Sequence, residues 1–193
     1  MLNHKEKVTH KYNSPQNSDN TIQQADLEAV KIEVEKITER KRQISAQIYI
    51  PNSVESIWKI LTNYEALPDF IPNLSSSRLL EHPQGGIRVE QVGSQKLLRF
   101  NFSARVVLDL QEHFPKEISF TMVEGDLKEF SGSWLLEPLT IAEQSGTSTT
   151  NLSYTVQVLP KRTMPVGMIE KRLSQDLRSN LLAVRERVAA FAN

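Results

Sequence analysis

The chain ends in a long segment whose apolar residues recur at steps of three and four, and this segment restricts the fold most strongly. In residues 166–191 the apolar stripe comprises Val166, Ile169, Leu173, Leu177, Leu181, Val184, Val188 and Phe191, which is typical of an amphipathic helix with one apolar face. Pro165 suits the first turn, where the missing N–H of proline is not needed. A long helix of this kind must bury its apolar face against another layer of structure.

The partner layer is predicted to be a sheet, because five runs of alternating residues precede the helix. They are IRVEQVG, LLRFNFSARVVLDL, EISFTMVEG, EFSGSWLLEP and TNLSYTVQVLP, with turn residues between them. Connections this short exclude parallel crossovers and indicate an antiparallel meander. One phase of the strands comprises Phe100, Phe102, Ala104, Val106, Leu108, Ile118, Phe120, Met122, Phe130, Gly132, Trp134, Leu136, Leu152, Tyr154, Val156 and Val158. The opposite phase is polar, so we expect one wet face and one face that is short of polar groups.

Two further strands are predicted nearer the N-terminus. Residues 29–37, AVKIEVEKI, alternate apolar and charged side chains, which indicates a strand. A charged helix remains the alternative, because Glu and Lys favour helices and some of the apolar residues also lie at helical spacing. Alternation resumes over residues 44–50, until Pro51 ends the strand.

A short helix and a broken apolar segment follow. Ser53 is the expected helix cap, and Glu55 lies in the first turn, where the helix dipole favours negative charge. The apolar stripe of this helix is Val54, Ile57, Trp58 and Leu61. Residues 63–74, NYEALPDFIPNL, then carry two prolines among large apolar side chains. This segment is too interrupted to continue the helix and too apolar for an ordinary solvated loop.

Composition excludes several classes of function. Among 193 residues, 23 Lys and Arg balance 23 Asp and Glu, so no basic excess supports nucleic-acid binding. The chain has no cysteine, which excludes disulfides, thiolate catalysis and cysteine-based metal sites. No run approaches the roughly 18 apolar residues that span a bilayer.

The N-terminal residues differ in character from the rest of the chain. Residues 1–25 are polar and lack periodicity, which predicts a disordered tail, and residues 26–193 are predicted to form one domain. The first 20 residues contain no apolar signal core, so we expect a cytoplasmic protein.

Three stretches carry a resemblance to a known superfamily. Residues 54–58, VESIW, run into LTNYEALPDFIP at residues 61–72, which is similar to a helix followed by the pattern Y-x-x-L/Y-P-x-F-x-P. Residues 124–134, EGDLKEFSGSW, are similar to the strand signature G-P-F-K-x-L-x-G-x-W. With the long terminal helix, residues 43–190 resemble the START-like (SRPBCC) superfamily, and more narrowly its polyketide cyclase/dehydrase and coenzyme Q-binding branch. The resemblance implies an α+β helix-grip fold, an antiparallel β-sheet curled around a long C-terminal α-helix.

The chain departs from the coenzyme Q-binding members of that branch at two places. Asn73 and Leu74 stand where those members usually carry a Trp-Cys or similar pair, and Asp126 replaces the proline of the strand signature. The resemblance therefore leaves the identity of a ligand open.

The helix-grip resemblance also implies a cavity between sheet and helix, with residues 64–72 as a lid over its mouth. The candidate ligand-binding residues are Trp58, Leu61, Tyr64, Leu67, Phe70, Ile71, Phe100, Phe102, Phe120, Met122, Phe130, Trp134, Tyr154, Met168 and Ile169. Tyr64 and Tyr154 are the expected polar contacts, because a buried phenol needs a hydrogen-bond partner. For the inward aromatic residues, plain core packing is the alternative.

The expected function is the binding or carriage of a hydrophobic small molecule, such as a prenyl quinone, an isoprenoid or a lipid. No cofactor, metal or catalytic residue is expected, because no set of histidines or carboxylates converges by spacing. A polyketide cyclase or aromatase is one alternative, and it requires an acidic or basic group inside the cavity. A protein-interaction module, as in the ribosome-associated toxin relatives, is another, and it is favoured if side chains fill the cavity.

The start of the C-terminal helix suggests contact with a membrane surface. Residues 164–168, MPVGM, are apolar and lie close to Lys161 and Arg162. An apolar tip beside cations suits transient contact with anionic lipid.

Overall fold

The structure is a computed structural model that describes residues 30–97, 100–139 and 148–191, without the side chains of residues 95–97 and 100–102. The predicted tail, residues 1–25, and the side chains of Phe100 and Phe102 lie outside this description. In chain order the elements are β1 (Lys31–Lys36), β2 (Arg42–Ile50), α1 (Val54–Leu61), a 3₁₀ helix (Tyr64–Asp69), β3 (Leu74–Leu80), β4 (Ile87–Leu97), β5 (Phe100–His113), β6 (Glu117–Gly125), β7 (Glu129–Leu139), β8 (Thr149–Leu159) and α2 (Val166–Phe191).

The eight described strands form one antiparallel sheet in the order β1-β2-β8-β7-β6-β5-β4-β3. The predicted meander is therefore confirmed from β4 to β8. The strand interpretation of residues 29–37 is also confirmed, because β1 pairs with β2 through Val34 and Ile44. Alternate residues of β2 are buried, among them Ile44, Ile48 and Ile50, so the period-two pattern marks the inner face.

Strand β3, at the other edge of the sheet, is missing from the sequence-based prediction. Its sequence LSSSRLL has three consecutive serines, which hide the alternation of apolar and polar side chains. Among the described strands only β4 pairs with it, and the register shifts by a bulge between Leu74 and Ser76. An edge strand of this kind depends on its neighbour more than on its own sequence.

Helix α1 forms where its cap and apolar stripe predict it. Ser53 Oγ accepts a hydrogen bond from the backbone N–H of Ser56 (3.3 Å), and Glu55 lies in the first turn. The four residues of the apolar stripe are all buried. The 3₁₀ helix that follows contains Pro68. At its end the backbone N–H groups of Phe70 and Ile71 both donate hydrogen bonds to the Leu67 carbonyl oxygen.

Helix α2 packs on β2 and α1 and buries Ile169, Leu177, Leu181, Ala183, Val184 and Val188. Phe191, predicted as the last residue of the apolar stripe, is instead 68% exposed, and its ring lies 4.7 Å from the guanidinium of Arg187 one turn earlier in the helix. None of the described helices has an apolar stretch long enough to cross a membrane.

The outer face of β3 to β6 carries a row of alternating charges. Glu90 pairs with Arg78 on one side and with Arg105 on the other (2.6 Å), and Arg105 also pairs with Glu124 (2.5 Å). The Arg78 and Arg105 guanidinium groups hold the pKa of Glu90 below its usual value, despite partial burial. In a separate pair, Arg88 lowers the pKa of Asp109 in the same way.

Because the pKa values of these carboxylates are lowered in the folded protein, we expect the free energy of unfolding to fall in acid. A carboxylate with a lowered pKa in the folded state stabilises the fold above its unfolded-state pKa, about 4.3 for Glu. This contribution is lost as the pH falls through the lower folded-state pKa. We expect urea midpoints to drop between about pH 5 and pH 2, and Glu90→Gln to flatten that dependence. Equal acid slopes for the wild type and Glu90→Gln would show that the charge row does not stabilise the sheet.

Candidate functional site

A cavity of about 230 Å³ lies between the 3₁₀ helix, the inner face of the sheet and α2. Its lining residues are Leu61, Tyr64, Leu67, Ile71, Pro72, Asn73, Leu74, Gln91, Gly93, Ala104, Val106, Leu108, Leu110, Ile118, Phe120, Leu127, Phe130, Trp134, Tyr154, Ile169, Arg172, Leu173, Asp176, Leu177 and Asn180. Most of these side chains are apolar. The space between sheet and helix is therefore open rather than filled by side chains.

Many of the predicted ligand-binding residues meet at this cavity. They are Leu61, Tyr64, Leu67, Ile71, Phe120, Phe130, Trp134, Tyr154 and Ile169. The helix α1, the segment after it, the meander and α2 each contribute to the set. The strand phases and helical stripes predict the sheet and helix members, whereas the resemblance implied Tyr64, Leu67 and Ile71. Their role in binding a ligand stays a prediction.

Two predicted residues lie elsewhere because they pack against other aromatic or cationic side chains. Trp58 is buried, but its ring meets Phe114 edge to face at 5.3 Å instead of lining the cavity. Phe70 lies in a separate groove, where the Arg187 guanidinium is 5.4 Å from its ring. Both placements correct the sequence-based prediction.

Two methionines of the predicted set also lie away from the cavity. Met122 is half-buried against the core, with its sulfur beside the backbone of Gly125. Met168 is 52% exposed, because one residue along α2 its side chain points about 100° away from that of the buried Ile169. The apolar character of Met168 indicates burial, but its helical position turns it to solvent.

Residues 64–72, here called the lid segment, close one side of the cavity and are tied down at both ends. At the first end, the Tyr64 hydroxyl donates to Glu112 Oε1 at 2.6 Å. Burial, and then the Glu112 carboxylate, raise the pKa of Tyr64, so the phenol stays protonated. Just past the other end, Asn73 Nδ2 donates to Asp176 Oδ1 on α2 at 3.2 Å. Asn73 adopts a left-handed backbone conformation with φ of 62°, which Asn tolerates better than most residues.

The sheet contributes an aromatic wall. Trp134 and Tyr154 stack with ring centroids 3.7 Å apart and 6° between their planes, and Phe120 lies 5.5 Å from Phe130. Gly132 lies between these residues, and the sequence leaves open whether it provides a bend or space for a ligand. A Cβ at Gly132 would lie 2.7 Å from the Phe120 ring and 2.1 Å from the Thr155 carbonyl oxygen. The glycine therefore makes room for its own neighbours.

Helix α2 adds a polar end to the cavity that the sequence analysis missed. Arg172, Asp176 and Asn180 recur at steps of four, so they share one side of the helix, and all three line the cavity. Arg172 Nε pairs with Asp176 Oδ2 at 3.1 Å, and both side chains are at most 20% exposed. The strand pattern predicts a sheet face that is short of polar groups, but it does not predict these polar contributions from α2 to the cavity. The signal in the sequence is that these three residues each lie next to the buried stripe of Ile169, Leu173, Leu177 and Leu181.

The electrostatics of the polar end follow from burial. Burial raises the pKa of Asp176, and the Arg172 and Asn73 contacts only partly offset that effect. Burial, and then the nearby Asp176 charge, raise the pKa of Tyr154, so its phenol remains a hydrogen-bond donor. Asn180 Oδ1 is buried and has no hydrogen-bond partner among the described residues. The polar end thus holds an ion pair, a phenol and one unsatisfied acceptor.

Residues 50–185 of the chain match the family described as polyketide cyclase / dehydrase and lipid transport. The chain belongs to this family. The match includes α1, the lid segment, strands β3 to β8 and most of α2, so every described wall of the cavity lies within it.

Solved structures show that the family member has the expected helix-grip fold. A START superfamily protein from Mycobacterium smegmatis superposes with a TM-score of 0.63 at 18% identity, covering 77% of this chain and 98% of that one. The Zhui aromatase/cyclase from Streptomyces sp. R1128 gives 0.63 at 15% identity, covering 79% and 96%. The predicted α+β helix-grip fold is therefore confirmed, and the polyketide cyclase/dehydrase part of the predicted resemblance is confirmed by the family match.

One curated relative has a different description. The ribosome association toxin RatA of Escherichia coli (strain K12) is 27% identical over 97 residues, which is 50% of this chain. The chain spans 59% of the length of RatA. The described function of RatA is therefore no more than a candidate for this family member.

Proposed function

We propose that the protein binds and carries a hydrophobic small molecule, such as a prenyl quinone, an isoprenoid or a lipid. The observation that carries this proposal is the open cavity of about 230 Å³ with its largely apolar lining. Small-molecule sites are concave and mostly apolar, with a few placed polar groups. The description of the family, which includes lipid transport, supports the same class of ligand.

The size of the cavity favours a ligand of which a part about the size of one ring is enclosed. An engineered protein cavity of roughly 150 Å³ holds benzene, and sites for drug-sized ligands are roughly 300–1,000 Å³. A cavity of about 230 Å³ lies between these cases. We infer that one ring and a short piece of chain are enclosed and that a longer tail lies in the mouth.

Apolar burial is sufficient to hold such a ligand. Each buried methylene contributes about 0.8 kcal/mol, so ten carbon groups supply roughly 8 kcal/mol, which corresponds to about micromolar binding before ordering costs. No net charge attraction is needed for this affinity.

The lid segment is the proposed route of ligand exchange. Leu67 and Ile71 face the cavity from this segment, whereas the Tyr64 and Asn73 hydrogen bonds hold its ends. Opening between the two ends would expose the apolar interior without unfolding the sheet. A membrane surface is the proposed source of the ligand, since Met168 is exposed and Lys161 and Arg162 are exposed nearby.

The proposal predicts binding that is nearly independent of salt. We expect the affinity for the neutral dye Nile red, and its displacement by a short-chain prenyl quinone, to change less than about twofold between 0.01 M and 1 M ionic strength, over which the screening length falls from about 30 Å to 3 Å. Fluorescence titration measures both. Loss of most binding over this range would contradict apolar burial as the main source of affinity.

A cyclase-type enzyme is the second candidate, because Asp176 places inside the cavity the acidic group that such chemistry needs. Its raised pKa and the adjacent Tyr154 phenol suit proton transfer to or from a bound molecule. Mass spectrometry of a polyketide-like compound after incubation with the protein separates the two functions. Carriage returns the compound unchanged, whereas a cyclase returns a dehydrated or rearranged product, and Asp176→Asn abolishes only the latter.

A protein-interaction module, suggested by the likeness to RatA, is less well supported. This alternative is favoured if side chains fill the cavity, and the cavity is open.

A further inference from the structure

Two tyrosines line the cavity, and their hydroxyl groups differ in what they bond to. The Tyr64 hydroxyl donates to Glu112 Oε1 at 2.6 Å, so its hydrogen is already used. Tyr154 makes ring contacts with Trp134 and Phe120, but its hydroxyl makes no hydrogen bond to any described residue. A buried phenol normally has a hydrogen-bond partner. The Tyr154 hydroxyl is therefore available to a bound molecule.

The Tyr154 hydroxyl opens onto the cavity rather than into packed core. Tyr154 shares the inner face of β8 with Leu152 and Val156, which are fully buried, whereas Tyr154 keeps some accessible surface. Among the described residues, Asn180 Oδ1 is the one enclosed side-chain polar atom without a partner. The unbonded Tyr154 hydroxyl is therefore not enclosed, and on this covered face of the sheet the open space beside it is the cavity.

The aromatic wall fixes the position of this hydroxyl. The Tyr154 ring stacks on Trp134 with centroids 3.7 Å apart and 6° between the planes. The oxygen is carried rigidly by the ring, so the rotation of the O–H bond is the main freedom that is left. A donor that is already in place loses little entropy when a ligand binds to it.

The charges near Tyr154 disfavour an anionic partner. Burial, and then the Asp176 charge, raise the pKa of Tyr154, so the phenol stays protonated and has a carboxylate as its electrostatic neighbour. A ligand carboxylate at the same place would be repelled by Asp176, while the cation nearby, Arg172, is already paired with Asp176 at 3.1 Å. A neutral acceptor avoids this repulsion.

A carbonyl oxygen fits the phenol better than a ligand hydroxyl does. A carbonyl only accepts, so one hydrogen bond from Tyr154 satisfies both groups. A ligand hydroxyl that accepts from Tyr154 brings a second hydrogen, which needs another acceptor in largely apolar surroundings.

We propose that Tyr154 donates a hydrogen bond to a neutral carbonyl oxygen of the bound molecule, so that the cavity selects apolar ketones and quinones over hydrocarbons and carboxylates of similar shape. This inference rests on the proposed function and specifies the ligand class. Among prenyl quinones, the oxidised form, whose oxygens only accept, fits better than the reduced quinol, whose hydroxyls each add a hydrogen.

A matched pair of neutral probes tests the proposal. Butyrophenone and butylbenzene share the ring and the chain, but only the ketone carries an acceptor. We expect Tyr154→Phe to weaken the binding of butyrophenone about fivefold to tenfold and that of butylbenzene less than about twofold, because the variant removes a single oxygen and keeps the stacked ring. Displacement of Nile red measures both affinities, with the affinity of the dye determined separately for each variant.

The matched control is Tyr64→Phe, which removes the other phenol oxygen of the cavity, the one already bonded to Glu112. It should leave the ratio of the two affinities as in the wild type. Without ligand, Tyr154→Phe should melt at the same temperature as the wild type or higher, because the lost hydroxyl has no partner in the fold.

Three results would overturn the carbonyl assignment and leave hydrophobic binding intact. They are an equal effect of Tyr154→Phe on the two probes, the same selective loss of butyrophenone in Tyr64→Phe, and a lower melting temperature of Tyr154→Phe without ligand. Binding of neither probe by the wild type would overturn the proposed function as well.

Discussion

Ala104→Phe is expected to lower the affinity for apolar ligands about a hundredfold, since the ligand would lose the burial of several methylene-sized groups at about 0.8 kcal/mol each. Ala104 on β5 lines the cavity and pairs with Gly93 on β4, so this part of the wall carries two of the smallest residues. A phenyl ring at residue 104 would occupy the space that we assign to the ligand. Because it fills an existing cavity, the substitution should leave the melting temperature unchanged or raise it.

Ser103→Phe is the matched control for this variant. Ser103 is exposed on the same strand, one residue from Ala104 and on the opposite face of the sheet. The control should keep wild-type affinity for Nile red and for a short-chain prenyl quinone. If Ala104→Phe folds and still binds both probes as tightly as the wild type, the ligand lies outside this cavity.

Gly132→Ala is expected to destabilise the protein by about 3 kcal/mol or more, at the upper end of the range for overpacked sites. The added Cβ would lie 2.1 Å from the Thr155 carbonyl oxygen and 2.7 Å from the Phe120 ring. The first of these contacts is with backbone of the paired strand β8, so relief requires movement of the sheet. Urea unfolding with a two-state fit measures the loss.

Gly167→Ala provides the opposite control for the glycine prediction. Gly167 is exposed in the first turn of α2, with nothing within 4 Å of an added Cβ. Alanine favours a helix by up to about 1 kcal/mol over glycine, so this variant should be at least as stable as the wild type. Combining Gly132→Ala with Phe120→Leu should not restore stability, because the Thr155 contact remains. A cost below about 1 kcal/mol for Gly132→Ala would show that the strands adjust freely at this point.

The faces of the strands were predictable because only one face of the sheet is covered by another layer. Side chains alternate between the two faces along a strand, so the pattern of apolar residues shows which side chains point to the covered face. Phe120, Trp134 and Tyr154 share the cavity for this reason. The cap at Ser53 was predictable for a local reason, since the hydroxyl and the N–H that it serves are three residues apart. In β3 the run of serines removes the pattern, and pairing with β4 supplies what the sequence of β3 does not indicate.

The polar end of the cavity was not predictable by the same reasoning. Sorting a helix into an apolar and a polar side places charged residues such as Arg172 and Asp176 in solvent. In the structure they lie at the boundary of the buried stripe, where the open space between helix and sheet admits a matched pair. Asp176 also bonds to Asn73, which is 103 positions away, and no local pattern indicates a contact of that range.

Some members of the predicted site were misplaced because they were chosen for their apolar character, without regard to the direction in which the side chain points. Phe70 and Met168 are apolar and lie close in sequence to cavity residues, yet Phe70 meets Arg187 and Met168 is exposed. A step of one residue along a helix or turn rotates a side chain by about 100° or more, and this rotation separates Met168 from Ile169.

The position of β2 beside β8 has a consequence for the making of the protein on the ribosome. Ser45 Oγ and Thr155 Oγ1 are 3.0 Å apart across this pair, although 110 positions separate them in the chain. The strands from β4 to β8 each pair with the strand made just before, but β2, already paired with β1, has no second partner until β8 has emerged. We expect the apolar side of β2, with Ile44 and Ile48, to stay uncovered through most of synthesis, which makes this early hairpin the natural target of a nascent-chain chaperone.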